Sequence, residues 1–209
     1  MKKSRKWIEE RRRDAFYRKA KREGYRSRAV YKLKEIDRKF RILRRGQAVI
    51  DLGAAPGGWL QYVAETIGNK GTVIGVDIKE IAPLPYENVK TLKADVFQEN
   101  IEKQILKLLG SKADVILSDL SPQISGVWEV DVARSVAICE RVVELSRKLL
   151  KKNGKLVMKI FEGIDTKRIL SLLKRDFSFI KLFKPAASRK KSSELYIICL
   201  GYRKFSDDF

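Results

Sequence analysis

The chain has 209 residues, 44% of them hydrophobic, no histidine, two cysteines and a formal net charge of +20. That length and apolar content suit one domain with a sizeable core and exclude a disordered chain, and the missing histidine excludes Ser-His-Asp and Cys-His catalysis, leaving Lys, Asp, Glu, Tyr or Cys as any general base. No apolar run approaches the roughly 20 residues of a membrane span, and the charged start lacks the apolar stretch of a secretory signal, so a cytoplasmic protein is expected.

Charge is concentrated at one end. Residues 1–45 hold 20 Lys/Arg against 6 Asp/Glu, a net +14, with Trp7, Phe16, Tyr17, Tyr25 and Tyr31 interleaved. Cations for phosphates and rings for stacking are what RNA binding uses, and Arg11, Arg12 and Arg13 are the densest run; the alternative is a solvated basic helix. Residues 1–22 read as a basic helix and 1–25 as an arm of a single domain that continues over 26–209. Ser27 can cap a second helix, Arg28 to Phe40, with Ala29, Val30, Leu33, Ile36 and Phe40 on its apolar side.

Strands and helices then alternate. Strands are predicted over Ala48–Leu52, Thr72–Ile78, Val89–Ala94, Asp114–Ser118, Lys155–Phe161, Ser178–Phe183 and Leu195–Gly201. Helices are predicted over Gly58–Ile67, Ile101–Leu109, Asp131–Leu150 and Thr166–Asp176. Continuous apolar strands between helices predict an open α/β sheet covered on both faces. The last two strands have no helix between them and should pair as a hairpin, one running antiparallel to the rest.

The run Asp51-Leu-Gly-Ala-Ala-Pro-Gly-Gly-Trp59 joins the first of these strands to a helix. Gly53 lets the backbone turn, Gly57 and Gly58 remove side chains where a ligand could approach, and Pro56 suits a first helical turn. The spacing is G-x-x-x-G-G, which is neither the dinucleotide pattern G-x-G-x-x-G nor a Walker loop. A glycine turn without a phosphate-cradling signature fits S-adenosylmethionine (SAM), which has an adenosine and an amino-acid carboxylate but no phosphate. An ordinary strand–helix turn is the plainer reading.

In such a sheet, ligands sit at the carboxyl ends of the strands. Asp77 ends the second predicted strand, where it can accept from ribose hydroxyls. Asp95 ends the third, near where an adenine edge would lie. Either could instead hold a loop, as Asp often does. Asp119 ends the fourth, in Ser118-Asp-Leu-Ser-Pro122, and lacks the aromatic that base N-methyltransferases place after Asp/Asn-Pro-Pro. Lys159 lies within the apolar strand Leu156–Phe161, where it is either desolvated or snorkelling. Glu194 opens the last strand after the basic loop Arg189-Lys190-Lys191, a candidate phosphate contact. Cys139 and Cys199, in apolar surroundings, read as buried thiols, and no metal site is expected.

The chain resembles the FtsJ/RrmJ family of SAM-dependent RNA ribose 2′-O-methyltransferases over nearly its whole length. The matching strings are Ser27-Arg-Ala-Val-Tyr-Lys-Leu33, Asp51–Trp59, Ser118–Pro122 through Ser125-Gly126, Val157-Met-Lys-Ile-Phe161 and Ser192-Ser-Glu-Leu-Tyr-Ile197. The resemblance implies a catalytic Lys-Asp-Lys-Glu tetrad at Lys32, Asp119, Lys159 and Glu194, and a SAM pocket at Gly57, Trp59, Asp77, Asp95 and Asp119, to which Gly53 is added from the turn itself. It implies a Rossmann-like methyltransferase fold: a seven-stranded, mostly parallel sheet, helices on both faces, the last strand inserted antiparallel. It also implies, at this length, the compact enzyme that acts on a uridine of large-subunit ribosomal RNA, although some relatives methylate transfer RNA. A monomer is expected, with ribosomal RNA or the large ribosomal subunit as partner.

Overall fold

The computed structural model describes residues 14–123, 125–163, 166–189 and 192–203. Strands β1 (Ala48–Leu52), β2 (Thr72–Asp77), β3 (Val89–Lys93), β4 (Ala113–Ser118), β5 (Leu150–Phe161), β6 (Phe177–Phe183) and β7 (Glu194–Tyr202) form one seven-stranded sheet in the order β3-β2-β1-β4-β5-β7-β6. Neighbours from β3 through β5 are parallel, and β7 is antiparallel to both β5 and β6. The expected α/β fold is therefore present, and the expected hairpin is β6–β7. Its second strand inserts between β5 and β6, so the hairpin joins the sheet through β7.

Among the described residues the helices are α1 (Ala15–Arg22), α2 (Val30–Phe40), α3 (Gly58–Ile67), α4 (Ile101–Leu109), α5 (Trp128–Leu149) and α6 (Thr166–Asp176). Strand residues alternate between two cores, as the period of two requires. Ile50, Ile74, Ile116, Leu156, Met158 and Ile160 pack with residues of α4, α5 and α6. Val49, Val73, Val115, Leu117, Val157, Tyr196 and Ile198 pack with α2 and α3. Lys159 has the parity of Val157 and so belongs to the α2/α3 face. In α1, Ala20 is buried against Val30, Tyr31 and Ala187, which attaches the described part of the basic segment to the domain. Residues 1–13 of the expected first helix lie outside the described residues.

Three local expectations change. Ser27 does not cap α2, whose N-cap is Ala29 without a side-chain bond; its hydroxyl instead packs against Gly58 so closely that a Cβ there would clash. Pro56 precedes the N-cap Gly57 rather than entering the first turn of α3. Helix α5 starts at Trp128, three residues before Asp131, because the Asp131 carboxylate accepts from the Ser125 amide and hydroxyl (both 2.8 Å) and the Gly126 amide (3.2 Å), organising the turn ahead of the helix. Among the described residues, no helix is long and apolar enough to cross a membrane.

Candidate active site

The strand order reverses between β1 and β4, and the glycine turn leaves β1 at that point. Gly53 has φ +79°, and a Cβ there would lie 2.9 Å from the Leu120 backbone nitrogen, so only glycine lets the β1 and β4 loops meet. Gly57, at φ 105°, is the N-cap of α3. The first turn of α3 leaves the amides of Gly58 and Trp59 without intrahelical acceptors, facing outward from the helix end.

Around this turn stand carboxylates at successive strand ends. Asp77 accepts from the Ala55 amide (2.9 Å) and the Lys79 amide (2.8 Å), tying the glycine turn to β2. Asp95 is exposed and accepts from the Phe97 amide (2.9 Å), the loop-holding geometry that was the alternative reading for it. Asp51, which the sequence reading passed over, is fully buried in β1, and neither of its carboxylate oxygens has a hydrogen-bond partner among the described residues. Burial first, then Asp119 and Asp77, pushes its pKa well above the carboxylate range. A buried, unpartnered carboxyl with two acidic neighbours is a donor set for a cationic ligand. Ile78, the residue after Asp77, and Phe97, two residues after Asp95, are both exposed and offer apolar surface at the same edge.

Trp59 departs from expectation. Its ring is buried, packs 6.0 Å from Tyr196, and its indole N–H donates to Ala29 O at 2.8 Å. The ring is core, and only the Trp59 main chain is available to a ligand. Arg26, also passed over, donates to the carbonyls of Pro56 (3.2 Å), Ala82 (2.6 Å) and Pro83. It thereby clamps the glycine turn to the loop after β2.

Beside this turn the structure brings Lys32, Asp119, Lys159 and Glu194 together. In the β5–β7 ladder Lys159 faces Tyr196, and Glu194, two residues earlier, shares the face of Tyr196. Lys32 comes from α2, packed on the same face. Lys159 Nζ donates to Asp119 O (2.8 Å) and lies 3.2 Å from Asp119 Oδ1 and 3.7 Å from Glu194 Oε1. Lys32 Nζ donates to Glu194 Oε2 (3.1 Å) and to the Tyr196 hydroxyl (3.3 Å), and that hydroxyl donates to Asp119 Oδ1 at 2.6 Å. Both lysines are buried. Burial would raise the pKa of Asp119 and Glu194, but the two ammonium groups outweigh it, so both carboxyls are held below their ordinary values. Burial and Asp119 keep the Tyr196 phenol well above its ordinary value, hence a hydrogen-bond donor.

A cavity of about 470 Å³ opens onto this cluster, lined by Arg28, Ala29, Lys32, Arg189, Ser192 and Glu194. Arg28 is ion-paired with Asp14 and donates to Ala187 O. Burial first, and the like charge of Arg189 second, lowers its pKa. Two guanidinium groups at one mouth fit an anionic ligand such as a phosphate. Of the other basic residues singled out above, Arg11, Arg12, Arg13, Lys190 and Lys191 lie outside the described residues. Cys139 and Cys199 are buried free thiols.

The family model for FtsJ-like methyltransferases matches residues 25–202. Among relatives, the ribosomal RNA large subunit methyltransferase E of Methanobrevibacter smithii is 42% identical over 197 residues, 94% of each chain. The protein of the same name from Methanothrix thermoacetophila is 46% identical over 185 residues, 88% of this chain and 71% of that one. A solved structure from Plasmodium falciparum, described as a ribosomal RNA methyltransferase, superposes with TM-score 0.78 at 28% identity, covering 87% of this chain and all of that one. Aeropyrum pernix fibrillarin, solved with natively bound S-adenosyl-L-methionine, shares the fold at TM-score 0.58 and 18% identity, over 82% of this chain and 76% of its own. The chain belongs to the FtsJ-like methyltransferase family, whose methyl donor is S-adenosylmethionine.

Proposed function

We propose that this protein transfers a methyl group from S-adenosylmethionine to a ribose 2′-hydroxyl, that of a uridine, in large-subunit ribosomal RNA. The observation that carries the reading is the single hydrogen-bonded cluster of Lys32, Asp119, Lys159 and Glu194, set between the glycine turn and a cavity flanked by Arg28 and Arg189. The names of the relatives support ribosomal RNA as the substrate.

The donor supplies a methyl group already activated on a sulfonium. Residues at the carboxyl edge fit it: the Gly53 and Gly57 turn and the Trp59 main chain for its amino-acid part, Asp77 for the ribose, Asp95 with Ile78 and Phe97 for the adenine, and Asp51 and Asp119 for its positive charge. What remains for the protein is alignment of the acceptor oxygen and removal of its proton. Lys159, an ammonium between Asp119 and Glu194 in the free protein, gives up a proton to solvent as the acceptor binds and, then an amine, accepts the 2′-hydroxyl proton. Asp119 holds Lys159 through both its carbonyl and its carboxylate. Glu194 spans the two lysines and positions Lys159. Lys32 orients the acceptor nucleotide, with Arg28 and Arg189 on its phosphates. Arg11, Arg12, Arg13, Lys190 and Lys191 extend that grip.

The test is methyl transfer from labelled SAM to ribosomal RNA, large subunits and transfer RNA, with 2′-O-methyl mapping. One ribosomal ribose should be labelled, and Lys159→Ala should lower the rate at least about a hundredfold. Label in transfer RNA alone would move the substrate, and a wild-type rate in Lys159→Ala would remove the assigned base.

A further inference from the structure

A ridge of apolar side chains is left uncovered where α5 begins: Val127 and Trp128 are each 52% exposed and Val130 39%. An indole in water is costly on a monomer and is found mostly where it meets a partner. The Trp128 N–H has no hydrogen-bond partner among the described residues, and Arg134, one and a half turns on, donates to Gln123 O at 3.0 Å, bracing the loop that leads back to Asp119.

The packing of α5 on β5 places this ridge. Cys139 Sγ donates to Lys159 O (3.3 Å), and the Phe161 amide donates to Ser135 Oγ (3.2 Å). Helix and strand therefore run in opposite directions, and the start of α5 continues past the end of β5. Seven residues separate Ser135 from Trp128, so at 1.5 Å per residue Trp128 stands about 10 Å beyond Phe161, over the carboxyl edge of the sheet. It stands on the face opposite α2, and on the β4–β5 side of the sheet, away from the β2 and β3 ends where Asp77 and Asp95 lie. The Arg28–Arg189 cavity is on the α2 face of that same edge, with Lys159 and Asp119 between the two.

We infer that Trp128 is a stacking platform for an unpaired nucleobase flanking the acceptor nucleotide, so that single-stranded RNA crosses the carboxyl edge from the Arg28–Arg189 cavity to the ridge of Val127, Trp128 and Val130. The charge of +20 selects a polyanion, and an exposed indole selects one with free π faces, which a duplex lacks. A base held on Trp128 would fix the strand on the far side of Lys159 and so position the ribose between two grips. The inference deepens the proposed RNA reaction and rests on it for the identity of the acceptor, but not for binding.

The experiment is binding of oligoadenylate and oligouridylate to the full chain without SAM, followed by indole fluorescence, with an RNA duplex for comparison. Single strands should quench indole emission, and Trp128→Ala should reduce the quenching and weaken single-strand binding about 5- to 150-fold. SAM affinity should be unchanged, and Trp128→Phe should restore binding. Circular dichroism checks that the variants fold. Unchanged single-strand affinity in Trp128→Ala overturns the inference. So does an emission change that follows protein concentration without RNA, which would make the ridge a contact between copies of this chain. Loss of single-strand binding in Trp128→Ala alongside absence of methyl transfer to any RNA would sink the reaction and leave the platform standing.

Discussion

Lys159 and Tyr196 face each other across the antiparallel β5–β7 ladder, and both end on the same oxygen, Asp119 Oδ1, the ammonium at 3.2 Å and the phenol at 2.6 Å. The ladder register thus sets the direction of the proposed base. Tyr196→Phe keeps the ring that packs on Trp59 and deletes the hydroxyl, which donates to Asp119 and accepts from Lys32. A hydrogen bond to a buried carboxylate is worth about 1.5–3 kcal/mol, so the variant should melt lower, by about 2–4 °C per kcal/mol, and lose kcat with little change in the KM for SAM. An unchanged melting point and kcat would mean that Asp119 finds another donor.

The cluster also predicts an acid limit. Asp119 and Glu194 both titrate lower in the folded protein than in the unfolded chain. Their stabilisation is therefore complete above the unfolded carboxylate range, about pH 4, and is lost as the pH falls through the folded values. Melting temperature should fall across that window, and less steeply in Glu194→Gln, which has already lost the contribution. Parallel acid profiles for the two proteins would contradict the direction of the Glu194 shift.

Asp51 has the opposite sign. Its pKa is raised on folding, so its contribution is favourable below the unfolded carboxylate range and is lost as the pH rises through the folded value. Near neutrality it costs stability. Asp51→Asn should then melt higher than wild type at neutral pH without SAM, and bind SAM more weakly, both measurable by thermal shift with and without SAM. A variant that melts lower and binds SAM normally would make Asp51 a structural residue.

Arg26 holds the glycine turn and the loop after β2 by three carbonyls from one guanidinium. Charge-assisted bonds of this kind are roughly twice as strong as neutral ones. Arg26→Ala should raise the KM for SAM about tenfold while leaving kcat and RNA affinity near wild type, because the guanidinium donates to the glycine turn and the loop after β2 and not to the cluster around Lys159. A loss confined to RNA affinity would assign Arg26 to the RNA surface instead.

Much of this molecule was legible in the chain because it depends on near neighbours. Helices Gly58–Ile67, Ile101–Leu109 and Thr166–Asp176 fall where apolar periodicity predicts them, and the strands end at Asp77, Ser118 and Phe161 within a residue of expectation. The glycine turn, the basic bias of the first 45 residues and the hairpin of the last two strands are likewise local in origin. Lys32 and Glu194 are 162 residues apart, and their shared site was visible only through likeness to a family. The insertion of β7 between β5 and β6 was likewise expected only through that likeness. The bridge that Tyr196 makes to Asp119, the buried ring of Trp59, the unpartnered carboxyl of Asp51 and the clamp of Arg26 were decided by tertiary structure. Side-chain type and spacing specify which face a residue takes within its own element, but which hydrogen-bond partners it meets depends on strand order and on helix packing, and those are properties of the whole sheet.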